Sequence, residues 1–244
     1  MIDAEPFSVT AKEVEQALEF LADSKRKAQT SRFFKTQQGQ YGEGDIFIGV
    51  SVPDQRKIAQ ALYQRLPLKQ LSVLLSSPIH EMRSCALFIL VRKYEKAKGP
   101  DERKELATFY QDHFKFVNNW DLVDSSCYKI LGRYCYETKS NELLVDLAKS
   151  DKLWLNRIAI VATMYHLKKD EFELTEQITL MNLHHSHDLI QKANGWLLRE
   201  LGKRDENRLL AYLTKHARTM PRTSLRYAIE RLDPELRSTF LKLN

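Results

Sequence analysis

The sequence predicts an all-α protein, an α-solenoid of stacked helix pairs, on three observations. Convincing strand alternation is absent from nearly the whole chain. From Ser51 to Asn244, helix-period patterns of ten to twenty residues are separated by short Pro, Gly, Ser or Asp punctuation. Five helix-opening segments look alike and recur every 34 to 40 residues, the span of a helical-hairpin repeat. Repeats of that kind bury their apolar faces against their neighbours, so they stack into a solenoid with a concave inner surface.

The first helix opens at Thr10, with Glu13 three positions on in the reciprocal arrangement that caps a helix start. Val14, Leu18 and Leu21 supply its apolar face. After Phe34 the pattern breaks, and Lys35 to Asp45 holds three of the eight glycines with no apolar periodicity, so it reads as a loop. Asp45 to Val50 has extended character but no obvious partner strand. Helix resumes at Ser51-Val-Pro-Asp54, with Pro53 in the first turn and Asp54 where the helix dipole favours an acid. Later boundaries fall at Pro67, Ser76 to Pro78, Gly99 to Asp101, Ser140-Asn141, Ser150-Asp151, Gly202 and Pro221.

Phe116 to Gly132 reads as one amphipathic helix whose polar face carries Trp120 and Asp124, four residues apart and therefore on one side. Val123, Cys127, Ile130, Leu131 and Tyr134 form its apolar stripe. The repeat register puts one polar side chain per inner helix on the concave surface: Arg83, Asp124, Arg157, Lys192 and Arg226. Four of these five are basic, so the concave groove is expected to be basic and to suit a phosphate backbone. Charge alone fits equally well with arginines paired to acids of neighbouring repeats.

With 38 Lys and Arg against 32 Asp and Glu, the net charge is +6, an excess that favours a polyanionic partner without specifying one. No run approaches 18 apolar residues, and Met1 to Thr10 lacks the basic start and apolar core of a signal peptide, so a soluble, cytoplasmic, nucleoid-associated protein is expected. Cys85, Cys127 and Cys135 form no C-x-x-C pair and sit in apolar helix patterns, as core residues do. His184, His185 and His187 fall at a helix junction with only Asp188 beside them, which reads as a loop and not a metal site.

At Asn118-Asn-Trp-Asp-Leu-Val-Asp-Ser125 the sequence resembles the AlkD family of DNA glycosylases, bacterial alkylation-repair proteins built from HEAT-like helical repeats. Phe33-Phe-Lys35, Phe47 to Val50 with Pro53 and Arg56, Trp154-Leu-Asn-Arg157-Ile-Ala, and Ile190 to Glu200 match family motifs in the same order. The likeness runs from roughly residue 20 to residue 230. It implies that Asp124 is the catalytic carboxylate, that Trp120 and Trp196 contact the lesion-bearing nucleotide, and that Arg157 lies near the DNA backbone. Phe33 stands where one kind of member has a tyrosine near the DNA, and Ser51 replaces a longer polar residue. The Gln37 to Gly44 loop occurs in some relatives only.

The implied substrate is double-stranded DNA bearing cationic N3- or N7-alkylated purines, cleaved by a monomer that needs no cofactor and leaves the lesion in the duplex. Such a base already carries positive charge, so the developing charge in the transition state lies on the deoxyribose. A carboxylate at Asp124 answers that charge, and indoles at Trp120 and Trp196 offer electron-rich faces to it. Read from the residues alone, Trp120 and Trp196 also fit core aromatics. Asp124 also fits a local partner of Lys129 or Arg133, and Asp121 a pair within its repeat. Two other functions stay open: a non-catalytic binder of branched or distorted DNA on the same fold, and a protein scaffold.

Overall fold

The computed structural model describes residues 8–243 and is all-helical apart from one isolated parallel bridge between Ile46 and Ile79. The chain forms two compact units, Met1–Ser126 and Cys127–Asn244. Among the described residues no helix is long and apolar enough to cross a membrane.

The first unit contains α1 (Ala11–Phe20), α2 (Ser24–Phe33), α3 (Val52–Leu62), α4 (Leu68–Leu75), α5 (His80–Lys96), α6 (Pro100–Asp112), a 3-10 turn at Phe114–Phe116 and the start of α7 (Trp120–Cys127). Its centre is α5, which packs against α1, α3, α4 and α6 and is buried almost continuously from His80 to Val91. A helix buried nearly all round is stable only when other helices enclose it and its buried polar side chains are paired, and each fully buried Leu or Ile contributes about 1.5 to 3 kcal/mol. The capping box at Thr10 forms, with the Glu13 carboxylate accepting the Thr10 N–H at 2.8 Å. Val14 and Leu18 face inward as expected, whereas Leu21 is the helix cap and is 38% exposed. Ser51 caps α3 by accepting the Asp54 N–H, with Pro53 in the first turn.

The second unit contains a π-helical turn at Tyr128–Gly132 followed by α8 (Arg133–Thr138), α9 (Glu142–Ala148), α10 (Leu153–Ala162), α11 (Met164–Leu167), α12 (Glu173–Met181), α13 (Asp188–Gly202), α14 (Glu206–His216), α15 (Arg222–Ala228) and α16 (Pro234–Leu241). Here the repeat is visible in the packing: α9 lies on α10, α12 on α13, and the inner members α10, α13 and α15 stack on one another. Two buried asparagines tie outer helix to inner helix in the same way. Asn156 donates its amide to the carbonyls of Leu147 and Ala148 at the end of α9 and of Ser150 just beyond it, and Asn194 does so to Thr179 and Asn182 at the end of α12. Carbonyls at a helix C-terminus lack intrahelical partners, and these amides supply them. Stacking is close: a Cβ on Gly195 would lie 2.3 Å from the Ser224 carbonyl oxygen. That glycine sets α13, and with it Trp196, against α15.

Phe116 to Gly132 is not one continuous helix. Helix begins only at Trp120, because Asn119 is buried and its side-chain carbonyl accepts the Trp120 N–H at 2.8 Å, and the register changes at the π-turn from Tyr128 to Gly132. Val123, Cys127, Ile130 and Leu131 are fully buried as the stripe requires, while Tyr134 is only half-buried. Cys85, Cys127 and Cys135 are free thiols in the core.

Candidate functional site

Trp120, the first residue of α7, stands on a cluster of rings. Its indole stacks on Phe34 with centroids 5.2 Å apart and planes 12° apart, and meets Phe33 edge-on at 5.8 Å. Phe34 in turn stacks on Phe47 at 5.0 Å, and Phe47 stacks on the His80 imidazole at 4.5 Å. Phe34 and Phe47 are buried, Trp120 is half-buried and Phe33 is 65% exposed, so the cluster runs from the core to the surface. Stacked and edge-to-face pairs of this geometry contribute about 0.5 to 1.5 kcal/mol each beyond the area they bury.

Beneath the rings lies a buried ionic network. Asp45, at the end of the glycine-rich loop, accepts hydrogen bonds from His80 Nδ1 at 3.0 Å, from the Asn119 amide at 2.9 Å and from the Arg83 guanidinium at 2.5 Å. The other nitrogen of His80, Nε2, donates to Asp121 on α7 at 2.8 Å. Burial works against a charge on His80, but the hydrogen bonds and negative charges of Asp121 and Asp45 outweigh it and push its pKa up to about 9. Burial also works against the Asp45 carboxylate, yet His80, Arg83 and Asn119 hold its pKa below the ordinary value. At neutral pH this is an imidazolium and a guanidinium facing two carboxylates, and it fastens the loop to α5 and to the first turn of α7.

The network corrects two expectations. Arg83 does not line a groove: its side chain is 5% exposed, and it also donates to the Ser77 carbonyl at 2.9 Å. Asp121 pairs with His80 of α5, the helix of the preceding repeat, and not within its own repeat. Desolvating a guanidinium is costly unless a carboxylate accompanies it, and Asp45, thirty-eight residues away in a loop, is that partner. The sequence carried a signal for Asn119, an N-cap residue before a helix, but none for Phe34, Asp45 or His80 as supports of Trp120.

Asp124 lies one turn beyond Trp120 on α7 and is half-buried. In the second unit, Arg157 is buried on α10 and donates to the Leu189 carbonyl at 2.5 Å, so, like Arg83, it is not the groove-lining side chain that the repeat register expects. Trp196 on α13 is half-buried. Lys192 pairs with Asp188 one turn earlier at 2.7 Å and stays partly exposed, and Arg226 on α15 is exposed. Trp154 is half-buried on α10. His184 and His185 lie in the turn before α13, and His187 caps that helix by accepting the Leu189 N–H. Among the described residues no group of three His, Cys, Asp or Glu side chains is placed to hold a metal ion.

A family model described as DNA alkylation repair enzyme matches residues 14–232. No curated protein sequence matches the chain. Among solved structures, a protein from Enterococcus faecalis described as a predicted DNA alkylation repair enzyme superposes with a TM-score of 0.68 at 16% identity, over 89% of this chain and 99% of that one. AlkD2 from Streptococcus mutans superposes with a TM-score of 0.53 at 14% identity, over 91% of this chain and 97% of that one. At such identities the structural likeness speaks to the fold.

Proposed function

We propose, from the premise that the chain belongs to the family of DNA alkylation repair enzymes, that it is a monofunctional glycosylase. Its substrates on this reading are N3- and N7-alkylated purines such as 3-methyladenine and 7-methylguanine, released from duplex DNA by hydrolysis of the glycosidic bond. The observation that carries this reading is the placement of Trp120 and Asp124, both half-buried, one turn apart on α7.

Alkylation at N3 or N7 makes the purine a cationic leaving group, so the base departs with the bonding electrons and needs no proton. The sugar becomes an oxocarbenium ion, and water attacks C1′ and loses a proton. A carboxylate about 4 Å from that cation stabilises it by roughly 4 kcal/mol at an effective dielectric near 20, equivalent to about a thousandfold in rate. Asp124 takes that role and orients the water. Trp120 offers its face to the cationic sugar or base, a contact of about 0.5 to 2 kcal/mol, and Phe34 behind it keeps the ring from rotating away. Trp196, half-buried on α13 of the second unit, keeps on this reading the nucleotide contact that the family resemblance implies for it. Phe33, Lys192 and Arg226 contact the DNA, while Arg157 and Arg83, being buried, act by holding their helices. No lysine is assigned a lyase step, so the product is a free base and an abasic site.

The test is chromatography of the bases released from dimethyl sulfate-treated duplex DNA. Free 7-methylguanine or 3-methyladenine with intact strands is the expected product. Binding of the DNA with no base released would replace this reading with that of a non-catalytic binder of damaged or branched DNA.

A further inference from the structure

Helix α2, with the sequence Ser-Lys-Arg-Lys-Ala-Gln-Thr-Ser-Arg-Phe, buries none of its residues. From Phe20 to Gly42 the chain carries Lys25, Arg26, Lys27, Arg32 and Lys35 against a single acid, Asp23. That acid is occupied as the N-cap, accepting the N–H groups of Lys25 at 2.8 Å and Arg26 at 2.9 Å. A short helix with no apolar face gains little from packing and is marginal on propensity alone. What holds α2 is its first turn. The Asp23 N–H donates to the Ile48 carbonyl at 3.1 Å, the Arg26 guanidinium donates to the Gly49 carbonyl at 3.0 Å, and the backbone rests so closely on Gly49 that a Cβ there would lie 2.1 Å from the Asp23 carbonyl oxygen.

The tethering orients the rest of the helix. Lys25, Gln29 and Arg32 follow one another at helical spacing along one face, all exposed, while Lys27, two residues on from Lys25, is exposed on the opposite side of the helix. Lys25 and Arg32 are two turns apart, about 10 Å along the axis, far enough to meet different phosphates of one strand. The helix runs directly into Phe33, which is 65% exposed and edge-on to Trp120. A cationic stripe thus leads up to the exposed end of the ring cluster.

We propose that α2 is a phosphate-binding helix, whose Lys25 and Arg32 hold the sugar-phosphate backbone of duplex DNA and deliver it to Phe33 and Trp120. The inference rests on the reading of the chain as a DNA-acting protein but not on base excision. Its chemistry is the complementarity of a guanidinium and an ammonium group to phosphate, independent of base sequence.

The test is equilibrium binding of an undamaged duplex oligonucleotide across a series of salt concentrations. It compares the wild-type chain, the variant Lys25→Gln/Arg32→Gln, and a variant with the same charge loss elsewhere, Lys168→Gln/Lys169→Gln. Both changed side chains in α2 are exposed, so thermal melting is expected to be unaltered. With about 0.9 released counterions per phosphate contact, the α2 variant should lower the slope of log affinity against log salt by about two, and affinity near 0.15 M salt by at least about tenfold. The second variant should leave the slope within about one of the wild type. A wild-type chain that binds with salt dependence while the α2 variant matches it, or while both variants lose equally, overturns the proposal alone. A wild-type chain without salt-dependent affinity for the duplex overturns the DNA-acting reading with it.

Discussion

The His80 Nε2 atom lies 2.8 Å from Asp121 Oδ2, and through this bond a buried imidazolium on α5 fixes the first turn of the helix that carries Trp120 and Asp124. Its opposite nitrogen is held by Asp45 at 3.0 Å, so the ring bridges a loop and a helix and its charge is paired on both sides.

Protonation of His80 makes stability depend on pH in a defined window. The folded pKa of about 9 lies above the ordinary value of 6.5, so the stabilisation is complete below about 6.5 and is lost as pH rises through about 9. At about 1.4 kcal/mol per unit this amounts to roughly 3 kcal/mol. Urea denaturation between pH 6 and pH 10 should show the wild-type chain weakening across that window, and His80→Gln, less stable at pH 6, should be nearly flat. Parallel curves for the two proteins would remove the imidazolium from the account.

The Asp45 and Arg83 pair should behave as a buried ion pair. Asp45→Ala leaves the guanidinium without its carboxylate and should cost about 3 to 5 kcal/mol. Replacing both, as Asp45→Ala/Arg83→Met, should recover much of that loss, because the uncompensated charge is gone. Additive destabilisation in the double variant would show that the two side chains act independently.

Phe34 supports Trp120 by contact, which separates ring stacking from burial. Phe34→Leu keeps an apolar side chain in the site and should cost only about 1 to 2 kcal/mol in stability. It should nevertheless change the emission of Trp120 and lower base release at saturating DNA. Base release unchanged alongside altered fluorescence would mean that the orientation of the indole does not matter to the reaction.

Gly49 has φ +86°, and the Asp23 carbonyl lies where its Cβ would be. Gly49→Ala is therefore strained twice, by the left-handed backbone and by the contact, and should displace α2. Limited trypsin digestion read by mass spectrometry should reveal faster cleavage after Lys25 and Lys27 than in the wild-type chain, with the second unit still resistant.

Local rules made much of this legible. The Thr10 capping box, the Ser51 cap with Pro53 behind it, and breaks at Pro67, Gly99 and Pro221 are decided by side chains within four residues of the boundary, and a sequence displays them directly. The helix α2 was not legible, because it has no apolar period; its fold depends on Gly49, a contact more than twenty residues away. Arg83 looked like a groove residue because its register matched that of Asp124, and nothing local announced that Asp45 would arrive from a loop to bury it. The pair of Trp120 and Asp124 on one helical face followed from spacing, while the rings and the imidazolium that fix it come from three other segments.

The central claim is that the carboxylate of Asp124 meets the positive charge that develops on the deoxyribose, and Asp124→Asn tests it with little change in shape. Single-turnover release of 7-methylguanine from methylated duplex, with DNA affinity measured in parallel, should fall about a thousandfold in that variant while binding stays close to the wild type. Release at the wild-type rate, with binding equally preserved, would contradict the account.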